Sequence, residues 1–476
     1  QKGDLYILSN EKHTLSLTSE VYKKRELLIK RVKELSLEQV IEEAAYTWFN
    51  RIIAIRYMEI NDMLPLTKDN QSLGIRVLSS KDNTPDPEIL KFTNLVNPDL
   101  DIDFKKEKYA EVKDNNEKFK YIILLICRKL GRVIPQVFDG VTDYIDILIP
   151  ENLLNDTGFV NKLLREIPSE YFNEVEIIGW MYQYYITEKK EYAFNKLNKE
   201  HKKIEKDDLP AVTQMFTPDW IVKLMVDNSI EIVINDNPKN EHIYPLKDKT
   251  TINNIEKIKY CDLCCGSGHI LVYVFDKLYN KYLSLGYDKS QICEKILNNN
   301  IFGLDIDNRA VQLSCLSLIL NARKYDKKIF NKKVSLNIFP IIESNSISQN
   351  AIEYLKNNIM DEELKEIIDY IIGLYKNSKE YGSILKVKSF EYEKIKDVIN
   401  KLDTKTKNIF EYSYYEELKG KFLPLINQSI ILSSKYNFMV TNPPYRGIRE
   451  VDDLLAEYLK KEYPNMNAEI IRFLDD

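Results

Sequence analysis

The chain has 476 residues, with 68 Lys and Arg against 73 Asp and Glu and a formal net charge of -5. A composition of 44% hydrophobic and 30% charged residues is that of a globular protein and excludes a mostly disordered or collagen-like chain. The slightly acidic balance excludes a protein that coats nucleic acid by bulk positive charge, while leaving room for a local basic groove.

The length suits about two to four domains. No apolar run reaches the roughly 18 residues of a membrane span; residues 121–127 are among the longest. The start, Gln1-Lys2-Gly3-Asp4, lacks the layout of a signal peptide, and a first residue other than Met leads us to expect that the natural start is missing. Cys127, Cys261, Cys264, Cys265, Cys293 and Cys315 are too few and too irregular for a disulfide framework, so the expected setting is a reducing cytoplasm.

Residues 1–204 read as an all-α N-terminal domain. Ser36 followed by Gln39 fits a capping box at a helix start. Leu37, Val40, Ile41, Ala44, Ala45, Trp48, Phe49, Ile52 and Ile53 then repeat at the spacing of one buried face. That helix is predicted to end before Pro65. Residues 68–87, with Gly74 and Thr84-Pro85-Asp86-Pro87, read as a loop, and further helical patterns cover about 117–130 and 160–185.

From residue 205 the pattern changes to strands alternating with helices, the signature of a parallel α/β sheet. Strands are predicted at 255–261, 300–304, 334–339 and 436–440. Helices follow the first, through Ile270, Leu271, Val274, Phe275 and Leu278, and the second, at 310–322 with Asp307 as N-cap. A Lys- and Glu-rich helical insert fills 348–434. The chain stops about 30 residues after the fourth strand, where a doubly wound sheet normally continues.

Three motifs carry chemistry. The first, Asp262-Leu263-Cys264-Cys265-Gly266-Ser267-Gly268-His269, lies between a strand and a helix, where glycines let the backbone approach a ligand. A Gly-x-Gly alone is weak, and a dinucleotide fingerprint fares worse because Leu271 stands where its third glycine belongs. The second is Gly303-Leu304-Asp305-Ile306-Asp307 at the next strand end. A carboxylate here can accept both hydroxyls of a ribose and Ile306 offers an apolar face to a purine; the plain alternative is helix capping, which we assign to Asp307.

The third motif, Thr441-Asn442-Pro443-Pro444-Tyr445, follows the apolar Phe438-Met439-Val440. Two prolines after a strand forbid further pairing and make a rigid loop. An amine conjugated to a ring is a poor nucleophile because its lone pair is delocalised. Two fixed acceptors, the Asn442 side-chain oxygen and the Pro443 carbonyl, can bind its NH2 and turn the lone pair toward an electrophile. Tyr445 supplies a flat surface for a base. The alternative is a proline-rich turn with an exposed Tyr.

Upstream, Thr217 suits the cap and Pro218 the first turn of a helix carrying Trp220, Ile221, Leu224 and Met225. Cys261-x-x-Cys264 invites a metal, yet no second ligand pair has matching spacing, so no metal is expected. His269 is expected to be structural or to line the pocket. Pro98-Asp99 with Asp103-x-Lys105 is too little for a nuclease site, and Lys23-Lys24-Arg25 and His201-Lys202-Lys203 read as solvated faces.

Together these motifs resemble gamma-class, S-adenosylmethionine-dependent N6-adenine DNA methyltransferases, and more narrowly the PglX methyltransferases of BREX phage-exclusion systems. The resemblance runs through Trp48-Phe49-Asn50-Arg51, Arg56-Tyr57-Met58-Glu59, Leu64-Pro65, Arg76-Val77-Leu78 and Gly179-Trp180-Met181-Tyr182-Gln183-Tyr184-Tyr185. It continues through 214–220, 266–271 and 442–445. The Trp-Phe-Asn-Arg and Gly-Trp-Met-Tyr-Gln-Tyr-Tyr strings are its most restrictive parts.

The resemblance implies a Rossmann-like, doubly wound methyltransferase domain over 205–476. It implies that Phe216, Thr217 and Pro218 hold the methionine end of S-adenosylmethionine, with Asp262, Gly266 and Gly268 beneath it, and that Asp305 binds the ribose. Asn442, Pro443 and Tyr445 would handle an adenine flipped from double-stranded DNA. Asn345 stands where the family has an acidic residue near the cofactor's adenine, and Leu263-Cys264-Cys265 replaces the usual Pro-Ala-Cys. Other BREX components are the implied partners. Family members are much longer, so the target-recognition region and the final strands are expected to lie outside this chain. The rivals are a modification subunit of a restriction system, a glutamine methyltransferase acting on protein, and a non-enzymatic scaffold.

Overall fold

A computed structural model describes residues 5–9, 14–64, 66–68, 71–82, 84–92, 96–97, 102–103, 114–132, 134–138, 144–150, 152–187, 189–192, 195, 217–234, 254–402, 408–443 and 453–464. The chain divides into two compact units. One comprises 1–178 and 319–332, the other 179–318 and 333–476. The expected boundary at 204/205 lies outside the described residues, as do Pro65, the 201–203 cluster and Asp99 and Lys105.

The first unit is mainly helical but not all-α. Leu5–Ser9 and Thr14–Thr18 form an antiparallel hairpin, and two shorter antiparallel pairs join Thr67–Lys68 to Gln71–Ser72 and Val96–Asn97 to Ile102–Asp103. The alternating Thr14-Leu15-Ser16-Leu17 is a strand pattern, short enough to pass for loop beside the strong helices that follow. Ser36 caps the helix Leu37–Ile60, accepting the Gln39 amide at 3.2 Å. Its first turns are less buried than the periodicity predicts, with Leu37 60% and Ile41 57% exposed, whereas every residue from 50 to 59 is buried. The helix is thus half amphipathic and half enclosed all round. The pattern predicted over 160–185 is broken after Pro168 into Phe159–Glu166, a turn at Ser169–Asn173, and Ile177–Tyr185. Proline removes a helical donor and restrains the residue before it.

The enclosed half of the long helix carries a polar cluster. The Glu59 carboxylate accepts the Val77 and Leu78 amides at 2.8 and 2.7 Å, the Ser79 hydroxyl at 2.9 Å, and the Arg56 guanidinium. Arg56 also donates to Ser169 Oγ at 2.8 Å. Arg51 lies over the Trp48 ring, 5.1 Å from its centroid. The restrictive strings around residues 48–59 and 76–78 therefore build a core.

The second unit is organised on a four-stranded parallel sheet in the spatial order Phe438–Met439, Tyr260–Asp262, Ile301–Asp305, Asn337–Pro340. All four strands fall where strands are expected, but the first starts five residues late, because Ile255–Lys257 is a short turn of helix, and the third starts three residues late; only the second keeps its predicted length. Tyr260, Cys261 and Asp262 are all buried, as befits a central parallel strand. Helices His269–Ser284 and Asn308–Tyr325 follow the central strands, although 319–325 of the latter falls in the first unit.

Between the third and fourth strands the chain builds the helices Gln349–Asn357, Glu362–Leu374, Tyr392–Leu402, Ile409–Glu417 and Leu423–Ser433. They enclose a core of their own that includes Leu355, Ile368, Tyr375, Ile395, Leu418 and Ile426. The expected helical insert is thus a subdomain with its own apolar centre.

Candidate functional site

The sheet order sets the site. From Tyr260–Asp262 the chain steps outward twice, then returns on the other side to place Phe438 opposite Tyr260 and Met439 opposite Cys261. Strand order therefore reverses beside the central strand, and the carboxyl edge of such a reversal is where open parallel sheets bind ligands. The glycine turn leaves one side of this crevice and the Asn-Pro loop leaves the other.

The glycine turn is held closely. Gly266 and Gly268 have φ of 54° and 87°, the left-handed region that favours glycine. A Cβ on Gly268 would lie 2.9 Å from both Cα and Oγ of Ser314, so the start of one helix rests against the flank of the next. Ser314 Oγ donates to the Gly266 carbonyl at 2.8 Å, and the Cys265 amide bonds to the Leu304 carbonyl at 2.9 Å. Ser383, from the insert, donates to the Leu263 carbonyl.

Two buried carboxylates lie in this frame. Asp305 accepts the Gly266 amide and the Asp307 amide, each at 2.8 Å. Burial, helped by the nearby Asp307, pushes its pKa up to about 7, against the pull of those amides. Asp262 accepts the Cys264 amide at 3.1 Å through Oδ1. Its Oδ2 and the buried Thr441 Oγ make no well-formed hydrogen bond among the described residues, although the Thr441 hydroxyl is near enough to steady the carboxylate. Burial raises its pKa to about 7 as well, with the Asp305 charge adding to the rise and Thr441 opposing it. A buried carboxylate oxygen without a well-formed hydrogen bond, beside glycines of positive φ, fits a ligand that brings a donor or a positive charge to the turn. Burial pushes the Cys261 and Cys264 thiols up, with Asp262 adding to both and Asp305 to Cys264.

Asp307 caps its helix, its Oδ1 accepting the Arg309 amide at 2.9 Å. It also receives the hydroxyl of Tyr182, which is buried. Nothing in the local sequence signalled that contact, though the Gly-Trp-Met-Tyr-Gln-Tyr-Tyr string marked the segment. Ile306, between the two aspartates, is half-buried.

The upstream strap meets both loops. Pro218, rather than Thr217, takes the cap of the helix Asp219–Ile234, its carbonyl accepting the Val222 amide at 3.1 Å. The Thr217 hydroxyl is engaged elsewhere: it accepts the Asn442 side-chain amide at 3.0 Å. The Thr217 carbonyl lies 3.1 Å from His269 Nδ1, and His269 Nε2 lies 2.8 Å from Asp219 Oδ1. His269 is thus a strut between strap and glycine turn. Tyr260 donates its hydroxyl to the Val440 carbonyl at 2.9 Å, which fixes the stem of the Asn-Pro loop.

The structure thus brings Thr217, Pro218, Asp262, Gly266, Gly268, Asp305, Ile306, Asn442 and Pro443 into one unit around one sheet edge. Phe216, Pro444 and Tyr445 lie outside the described residues. Asn345 is exposed, and its amide donates to the Lys376 carbonyl of the insert at 2.7 Å.

A parallel sheet with a glycine turn at its reversal and an Asn-Pro loop on the adjacent strand is the layout of an α/β methyltransferase domain. Residues 299–472 match the family model of the Eco57I restriction-modification methylases. Over most of its length the chain is similar to two adenine-specific methyltransferases. It is 31% identical over 489 residues to BrxX of Escherichia coli O9:H4 (strain HS), covering 94% of this chain and 39% of that protein. It is likewise 31% identical over 510 residues to PglX of Lacticaseibacillus casei (strain Zhang), covering 96% and 40%. The chain therefore spans about two-fifths of the length of the curated relatives it matches.

Proposed function

We propose that this chain supplies the catalytic part of a site-specific adenine-N6 DNA methyltransferase of a BREX phage-exclusion system, using S-adenosylmethionine and acting with other components of that system to mark host DNA. The observation that carries the proposal is the pairing of Phe438–Met439 with the glycine strand, which sets Asn442 and Pro443 at the same sheet edge as Gly266 and Gly268.

When bound, S-adenosylmethionine supplies a methyl group on a positively charged sulfur. Asp262, with one oxygen short of a well-formed hydrogen bond, is suited to receive a cationic or donor group, and Asp305 to accept ribose hydroxyls on the lone pairs its two amide donors leave free. Gly266 and Gly268 allow close approach, Phe216, Thr217 and Pro218 would hold the methionine end, and Ile306 would offer an apolar face to the purine. Asn345, which gives one N–H to the Lys376 carbonyl, would turn its Oδ1 to the purine edge. The Asn442 Oδ1 and Pro443 carbonyl would accept the two hydrogens of a flipped adenine's amine, with Pro444 expected to stiffen the loop and Tyr445 to stack on the ring. Transfer is in-line, with no covalent enzyme intermediate. The methylated amine is acidic and loses its proton to water, so no protein base is required.

The test is Asn442→Ala in the full-length protein. Methylation, read by modified-base sequencing of host DNA, should be abolished while calorimetric cofactor binding stays near normal. Normal marking by the variant would remove Asn442 from the chemistry.

A further inference from the structure

We infer that Thr217 is a positioning residue for Asn442: its hydroxyl, on a strap braced by His269 and Asp219, holds the side-chain amide so that Oδ1 is left for the substrate amine. The inference rests on the proposed role of Asn442 and deepens it. It gives Thr217 a task separate from bordering the cofactor.

A side-chain amide has two orientations of nearly the same shape, exchanged by a half-turn, and only one presents its oxygen to a donor. In the structure Nδ2 is the atom bonded to Thr217 Oγ, at 3.0 Å. The opposite orientation would place Oδ1 against the Thr217 hydroxyl and point an N–H at the substrate amine, where an acceptor is needed. The Thr217 hydroxyl can donate as well as accept, so the bond fixes where the amide sits, and the N–H donors of the substrate, which only Oδ1 can accept, decide which way it faces.

A latch must itself be fixed. Thr217 is 8% exposed, and the proline after it restricts its backbone to extended conformations. Its carbonyl meets His269 Nδ1 at 3.1 Å, and the far ring nitrogen meets Asp219 at 2.8 Å. His269 immediately follows Gly268. The position of the amide is thus referred, through one threonine and one histidine, to the glycine turn on the neighbouring strand.

The test compares Thr217→Val, which keeps shape and loses the hydroxyl, with Thr217→Ser, which restores it, in the full-length protein. Single-turnover transfer of labelled methyl to genomic DNA from a strain lacking the gene is measured with S-adenosylmethionine at saturation, and cofactor Kd by calorimetry. Thr217→Val should slow transfer by about tenfold to a hundredfold with Kd changed by less than about threefold, and Thr217→Ser should transfer within about threefold of the parent. If Thr217→Val fails to fold, Thr217→Ala replaces it under the same expectations. A Val variant that transfers at the parental rate, or whose defect vanishes at saturating cofactor, overturns the latch. So does a Ser variant as slow as Val. Asn442→Ala runs alongside: if it transfers normally, the proposed role of Asn442 fails, whereas an inactive Asn442→Ala beside a fully active Thr217→Val sinks the latch alone.

Discussion

Two glycines of the second unit have nearly the same backbone and opposite surroundings, so they separate two energies. Gly268 has φ of 87° and Gly286 has φ of 83°. A Cβ at Gly286 meets nothing within 4 Å, whereas at Gly268 it lies 2.9 Å from the Cα and Oγ of Ser314 and 3.2 Å from its Cβ. Gly286→Ala should therefore cost only the left-handed penalty of an L-residue, about 1–2 kcal/mol. Gly268→Ala incurs the same penalty and must also push the helix start away from a neighbouring backbone atom, which a side-chain rotation cannot relieve. Overpacking of that kind adds about 1–3 kcal/mol, for a total of roughly 2–5 kcal/mol. Hydrogen exchange of the amides in His269–Ser284 across a urea series reads both variants on the element concerned. Equal destabilisation by the two substitutions, or a Gly268→Ala variant within about 0.5 kcal/mol of the parent, would show that the turn is not pressed on Ser314.

Two other consequences can be measured. Glu59→Gln in the first unit leaves the Arg56 charge buried without its carboxylate and presents an amide N–H to backbone donors, so it should destabilise by about 3–5 kcal/mol in urea titration. A loss below about 1 kcal/mol would mean that the cluster is solvated. The raised pKa values of Asp262 and Asp305, about 7 against an ordinary carboxylate near 4, mean that the folded chain holds protons the unfolded chain has shed. Their contribution to stability is thus full below about pH 4 and declines as pH rises through about 7. If both act ionised toward S-adenosylmethionine, binding should release protons at pH 6.5 and tighten toward pH 8. Calorimetry in buffers of different ionisation heat reads that release, and proton uptake on binding would refute it.

The local grammar of the site could be read from the residues alone. Positive-φ glycines and a carboxylate ending the next strand are each dictated by neighbouring atoms, and the order of the strands was legible although two of them start three to five residues later than the pattern suggested. Long-range partners could not be read. Thr217 meets Asn442 across 225 positions and Tyr182 meets Asp307 across 125, and no periodicity encodes such distances. Thr217 looked like a cap because threonine before proline usually is one, yet its hydroxyl serves Asn442 and the cap shifts to Pro218. The hairpin at Leu5–Ser9 and Thr14–Thr18 escaped because two five-residue strands carry little pattern. Leu37 and Ile41 fit the helical stripe and still face solvent, since periodicity marks a face without telling where along it burial begins.

The last strand of the sheet makes its contact late. The Lys259 amide donates to Asn437 Oδ1, 178 positions further on, with the whole insert synthesised in between. During translation the glycine side of the crevice emerges first, and the edge of the central strand that Phe438–Met439 pairs stays open until the insert, with its own apolar core, has been made. The two sides of the crevice are therefore completed in a fixed order along the chain, the glycine side before the side that carries Asn442.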